Sequence, residues 1–426
     1  MRSGARMVIA AAVLSAAATA TAAAAPAVDW GPNQRLATNA DAFFPVFGSM
    51  SLSDDAIVGW TRAGGTGTAV ARRRAGPHGA WSPPIDLGNG NLAGLAMSRA
   101  GGSLALVASG TAVRSARIGT GGGVTPAPLG AAGAAQQVLG AALRGDGTAV
   151  ALVLRPGGTS VRLLTQEAPG GPWSQSGPDL PVPADSDLTA AMSRGGQAVV
   201  AWRASQTTIA AATRPNLGGQ WRSFPALPSD VPAGPSVVSP ATVIGDDGSA
   251  AVTWTVLGQG FDDNLGAGAF IPAGMTSTAA ALPIAGATAG MGVSPTGTAM
   301  MTWTDPALGG DLFASRFSTV NASWPIGIRR LAKGGTLEEG AFALAARTAR
   351  RGPVIVEASL ETGPGPDGQV AFGRPLRSKP WGKARSLPFS RATPALAAGE
   401  RAALVALAVD DTNELIVAAY GRLPGG

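Results

Sequence analysis

SPTGTAMMTW (294–303) is a turn followed by a short apolar run that ends in tryptophan, and SRGGQAVVAW (193–202) and GDDGSAAVTW (245–254) repeat its shape. The turns combine Gly with Asp or Ser, residues that take positive φ or bond their own backbone. The run that follows is short, apolar and bounded by turn residues, which reads as a strand buried on both faces. One phrase returning about every fifty residues is the mark of a repeat architecture.

Aligned on that phrase, the chain divides into eight copies of a four-part unit. A short apolar segment comes first: PVFGSMS (45–51), LAGLAMS (92–98), VLGAALR (138–144), LTAAMS (188–193), PATVIG (240–245), AGMGVS (289–294), AFALAAR (341–347) and PALAAG (394–399). The turn and apolar run come next, closing on Trp60, Trp202, Trp254 and Trp303 in four of the copies. A third strand-like run follows, as in TAVARRR (68–74), TIAAATRP (208–215) and LIVAAYG (415–421). The fourth part runs from Trp to Leu, as in WSPPIDL (81–87), WRSFPAL (221–227) and WPIGIRRL (324–331). The eighth copy lacks a fourth part at its C-terminal end, and WGPNQRL (30–36) supplies one near the start of the chain.

Four short strands per unit at this period predict an all-β fold, a β-propeller of eight four-stranded blades, with seven as the alternative count. The N-terminal strand is expected to complete the last blade and close the ring, which removes an exposed sheet edge. The unit resembles the repeats of bacterial secreted propellers, in the broad group of WD-like and sialidase-like folds. SPTG (294–297) is similar to the Ser-Pro-Asp-Gly turn of one such repeat class, with Thr296 in place of Asp. The resemblance implies a fold; propellers carry many unrelated functions. The sialidase Asp-box, Ser-x-Asp-x-Gly-x-Thr-Trp, is not matched.

MRSGAR carries two arginines and is followed by a weakly apolar, alanine-rich run ending in small residues. This predicts a secretory signal peptide over 1–25, one propeller domain over 26–426, and a secreted, extracellular product. No stretch reads as a membrane span. The chain has no cysteine, which excludes thiolate metal sites and cysteine nucleophiles. A formal net charge of +6 spread over 426 residues, two of the basic groups lying in the leader, does not suit nucleic-acid binding.

Catalytic chemistry finds few carriers. The sole histidine, His78, lies in a GPHG loop with no GxSxG anywhere, so a serine nucleophile has no partner base. A sialidase-like hydrolase is the alternative to a binding function, and Glu357 and Tyr420 are its least implausible participants. Arginines recur at the ends of third strands (Arg74, Arg117, Arg214, Arg316, Arg374) and are expected to be solvated there. The first strands, which would line the axis, are nearly chargeless, and this argues against a catalytic funnel. GxGxxA at Gly88, Gly90 and Ala93 falls between two expected strands and not before a helix, so it is not a dinucleotide fingerprint.

Charge is expected to divide between the two faces of the ring. The face bearing the connections from strand two to strand three, and from each blade to the next, takes Asp262, Asp263, Asn264, Asp305, Asp311, Asp367, Asp410, Asp411 and Glu414, with Glu338, Glu339 and Glu361. The other face takes Arg72, Arg73, Arg99, Arg144 and Arg194 among others. The first nine residues form the candidate binding surface, with an extracellular protein or glycan as partner. No cofactor is required. Clustered carboxylates and amides are the donors calcium takes, so calcium stays open, although the spacing matches no EF-hand loop.

Overall fold

The computed structural model describes residues 29–30, 34–41, 44–51, 53–64, 67–76, 78–184, 186–227, 236–258, 265–274, 279–280, 284–285, 288–293, 299–305, 311–318, 323–332, 337–346, 353–361, 368–373, 385–386, 395–398, 403–410 and 415–422. The expected leader, 1–25, lies outside the described residues. Among those described, the strands form eight antiparallel sheets, each consecutive in the chain but for the last. The first strand of each sheet stands at one edge: Phe47–Met50, Asn91–Met97, Gln137–Leu143, Leu188–Met192, Ser236–Ile244, Thr288–Val293, Leu337–Ala346 and Ala395–Ala398. All eight fall on the apolar segments picked out by the repeat. Each adjoins the first strand of the next sheet, and the eighth adjoins the first. In the eighth sheet the fourth place is taken by Asp29–Trp30 and Gln34–Ala37, both paired with Leu415–Arg422, as WGPNQRL predicts.

The second strands show why the phrase is apolar throughout. Ala56–Arg62 is buried along nearly its whole length, because neighbouring sheets pack on both of its faces. Strand alternation divides the load. Ala56, Val58 and Trp60 join Leu36 and Ala40 of the N-terminal segment, while Ile57 packs with Leu92, Ala105 and Val107 of the second sheet. The fourth sheet repeats the arrangement: Val200 and Trp202 meet Leu152 and Leu163 of the third, and Val199 and Ala201 meet Val252 and Trp254 of the fifth. Each of these tryptophans therefore fills the space toward the preceding unit. At about 25 cal/mol per Å², burying so large a ring is a leading local contribution to sheet-on-sheet packing.

The expectation for the third-strand arginines is corrected where they are described. Arg117 and Arg214 are 6% and 0% exposed, and Arg74 is also buried. Arg117 donates to Gln166 Oε1 at 2.8 Å and to the Gln166 carbonyl at 2.7 Å, and also to the Gly147 carbonyl, all on the third sheet. Arg214 donates to the carbonyls of Ser176 and Leu217, with its guanidinium 5.6 Å from the centre of the Trp221 ring. The side chains reach sideways into the neighbouring unit instead of out to water. Arg316 is described by its backbone alone, opposite Met300 and Ile326, and Arg374 lies outside the described residues. Burial pushes the Arg117 and Arg214 guanidinium groups below their ordinary value, yet an arginine remains charged across the working pH range.

Candidate functional site

The first strands are built from small residues because they converge. A Cβ on Gly94 would lie 3.3 Å from the Ala141 Cβ of the next sheet, and one on Gly140 would lie 3.5 Å from the Met192 Cβ. Polar ties run across the same junctions. Ser49 Oγ accepts from the Met97 N–H at 2.9 Å, and the Thr189 and Thr242 hydroxyls lie 3.4 Å apart. Across all eight strands the only ionisable residues are Glu338 and Glu339.

Several of these strands are bulged at the same level. The ladder shifts register between Leu92 and Gly94, Val138 and Gly140, Val238 and Ala241, Thr288 and Gly290, and Leu337 and Gly340. A bulge leaves residues unpaired and re-aims the strand. Each shift adds one residue: Ala93, Leu139 and Ala289 have no counterpart, while Ser239–Pro240 stand against Trp254 alone and Glu338–Glu339 against Leu360 alone. Nothing in a single copy of the repeat signals this; it shows only when the eight pairings are compared.

At the bulged end the first four sheets enclose a cleft of about 720 Å³. Phe44, Phe47, Leu95, Leu139 and Met192 give it an apolar wall, and Asn91, Gln136 and Gln137 set amides at its edge. It has the size and the mixture of apolar walls with few polar groups that small-ligand and side-chain pockets show. The opposite end carries a smaller cleft of about 180 Å³ edged by Ser193 and Arg194. There Asp246 accepts from the Arg194 N–H at 3.1 Å and pairs with Arg99 at 3.4 Å, tying the turns of the second, fourth and fifth sheets together.

Of the sequence-predicted residues, Asp305, Asp311 and Asp410 are described, each at the end of a strand. Asp305 and Asp311 are direct partners at the end of the sixth sheet's ladder, and Asp410 closes its strand opposite Leu415. Glu361 stands opposite Leu337. Asp262, Asp263, Asn264, Asp367, Asp411 and Glu414 lie outside the described residues. Among the described residues no three His, Asp or Glu side chains come together as a metal-ligand group. The expected division of charge between the two faces does not hold among the described residues. The second strands of the first, third and fourth sheets lead out through Arg62, Arg155 and Arg203, so basic residues share the face expected to be acidic. The opposite face is also mixed: Arg73 pairs with Asp55 at 3.2 Å, and Arg144 with Asp146 at 3.0 Å.

The hydrolase candidates are not brought together in one strand or sheet. Glu357 stands opposite Phe342 and Ala371 in the seventh sheet, and Tyr420 opposite Val405 in the third strand of the eighth. His78 is exposed in its turn. Gly88 and Gly90 have positive φ and link strand Ile85–Asn89 to Asn91–Met97 with no helix after them. Away from the cleft, the Arg162 guanidinium grips Asp179 with two hydrogen bonds of 2.8 and 2.7 Å and holds its carboxyl below the usual range.

No family model matches the chain, and no curated protein matches it. Solved structures do match in fold. Sqt1 from Chaetomium thermophilum, in a crystal structure bound to the N-terminus of the ribosomal protein L10, is similar with a TM-score of 0.56 at 12% identity, over 93% of this chain and 99% of that one. A second Sqt1 structure from the same organism gives 0.55 at 12% identity, over 94% and 100%. The β-propeller domain of Cps50 (Swd1) from Myceliophteria thermophila gives 0.47 at 10% identity, over 92% and 99%. With eight antiparallel sheets of four or five strands among the described residues, the likeness to Sqt1 makes the fold a β-propeller.

Proposed function

We propose that this chain is a secreted, non-catalytic binding module: an eight-bladed propeller over residues 26–426, freed of a signal peptide at 1–25, that captures an extracellular protein or glycan. The observation that carries the reading is the apolar, amide-edged cleft of about 720 Å³ that the first four sheets enclose. A rigid scaffold with varied loops around a central cleft is a common binding arrangement. The pairing of Gln34–Ala37 with Leu415–Arg422 supports ring closure by the N-terminal strand. Apart from Glu338 and Glu339 the described first strands carry no ionisable residue, which weighs against a catalytic centre on the axis.

The test is a glycan array and a panel of extracellular proteins probed with the purified chain, in calcium and then in chelator. Joint replacement of Asp262, Asp263, Asp410 and Asp411 by Asn is expected to abolish binding to the partner found. Full retention by that variant would refute the acidic face as the binding surface. Loss of binding in chelator alone would make calcium a cofactor of those connections.

A further inference from the structure

We propose that the large cleft takes an uncharged segment of a protein partner: an extended peptide with bulky apolar side chains and no ionisable group at the seated positions. This rests on the binding-module reading and narrows it from protein or glycan to a peptide of stated chemistry. The seat it needs lies on the first four sheets.

The lining decides the class of ligand. Among the described residues of the cleft there is no ionisable side chain and no hydroxyl. Phe44, Phe47, Leu95, Leu139 and Met192 are half-buried on the free chain, so an apolar group seated on them removes further surface from water. A charge brought against this wall would lose its hydration and gain no partner, which is costly. Acidic and basic side chains and charged sugars are therefore unsuited to the seat. A neutral sugar spreads hydroxyls over most of its surface, and the amides of Asn91, Gln136 and Gln137 serve one edge of the cleft. A peptide instead keeps its polar groups on the backbone and offers apolar bulk on its side chains.

The same wall supplies partners for a peptide backbone. Each first strand is the edge of its sheet. The N–H groups of Ser98, Arg144 and Ser193 donate to the carbonyls of Gly102, Thr148 and Gln197, toward the second strands. Antiparallel alternation then turns the N–H and C=O of Leu95, Ala141 and Ala190 away from those ladders, and all three residues line the cleft. The bulges at Ala93 and Leu139 add backbone groups that no ladder takes up. An extended segment lying against such an edge pairs its own backbone there. The amides of Asn91, Gln136 and Gln137 extend the match, since each offers both donors and an acceptor. Leu95, Ala141 and Met192 line the small cleft as well, so they stand between the two clefts and floor the larger one. Side chains therefore enter from one mouth and rest on an apolar floor.

The experiment pans a display library of random heptapeptides on the purified chain and measures the best synthetic peptide by isothermal titration calorimetry. Selected sequences should carry clustered Leu, Ile, Met or Phe with no Asp, Glu, Lys or Arg among them. Replacing a central apolar residue of that peptide by Asp, and separately by Lys, should each weaken binding at least about tenfold. The heat-capacity change of binding should be negative, as apolar burial requires. Affinity should change by less than about twofold between about 0.05 M and about 0.5 M salt. Gln137 is exposed, and Gln137→Ala should weaken binding about threefold, as the loss of one hydrogen bond does. Leu139→Ser should weaken it at least about fivefold by removing apolar contact. Acidic or basic selected sequences, equal binding of the Asp peptide, a steep fall with salt, or full affinity in both variants overturns the inference. Peptide substitutions and salt dependence are read on the unaltered chain, so a variant that folds poorly does not blunt the test. Neutral glycan bound on an array, with no peptide selected, overturns this inference and leaves the binding-module reading standing. No binding to peptide, glycan or protein overturns both.

Discussion

Arg117 offers a sharp test of how the units are held together. It leaves the third strand of the second sheet and inserts a buried guanidinium into the third, with donors to Gln166 Oε1, the Gln166 carbonyl and the Gly147 carbonyl. Hydrogen bonds to a charged group contribute about 1.5–3 kcal/mol each. The desolvation that depresses this guanidinium's pKa opposes them. The net loss expected for Arg117→Ala is about 3 kcal/mol, between one intact bond and three. A chain of 426 residues unfolding as one unit has an unfolding entropy near ~0.9 kcal/mol/K, so the midpoint should fall by about 3.5 °C. Arg117→Lys keeps the charge but loses the planar fork, and should fall nearly as far. Arg99→Ala is the control. Its side chain is 51% exposed and its pair with Asp246 is 3.4 Å long, so its loss should shift the midpoint by under about 1 °C. Differential scanning calorimetry on the three variants decides it. A lysine variant matching the parent, or an alanine variant no worse than Arg99→Ala, would refute the staple.

Acid should weaken the third sheet through Asp179. The Arg162 guanidinium holds the folded carboxyl below its unfolded value, so the stabilisation is full above about pH 3.9 and is lost as pH falls through the folded value. Asp179→Asn should therefore be less stable than the parent near neutrality and converge with it in acid; a pH-independent gap in urea melts would exclude this. Deleting residues 28–37 strips Leu415–Arg422 of its outer neighbour and leaves it paired with Ala403–Asp410 alone. The deletion should speed hydrogen exchange along that strand and lower the melting temperature sharply, and an unchanged melt would refute closure by the N-terminal strand. Gly90→Ala should cost at least about 2 kcal/mol, because φ is +118° and the new Cβ would sit 2.6 Å from the Ala108 carbonyl; wild-type stability in thermal melts would contradict the close approach.

The repeat was legible in the sequence because each strand answers to a local rule. Turn residues mark where the chain reverses, and the second strand must be apolar on both sides if a sheet packs against each. Trp60, Trp202, Trp254 and Trp303 could be placed on those strands from one phrase, and WGPNQRL could be sent to the eighth sheet because the last copy was one part short. What stayed hidden depended on distances between units. The third-strand arginines looked solvated because a strand end usually is; only the adjacent sheet supplies the carbonyls of Gln166 to Arg117 and of Ser176 to Arg214. A spacing of seven residues to the next tryptophan, in Arg74–Trp81, Arg214–Trp221 and Arg374–Trp381, was the available sign of that contact. The bulges were invisible because pairing register is a property of two strands. By itself the sequence determined the repeating unit and the apolar character of its first and second strands, both of which are local. Tertiary structure alone decided that Ala93, Leu139 and Met192 share a cleft, because register and the meeting of first strands bring together residues of separate units.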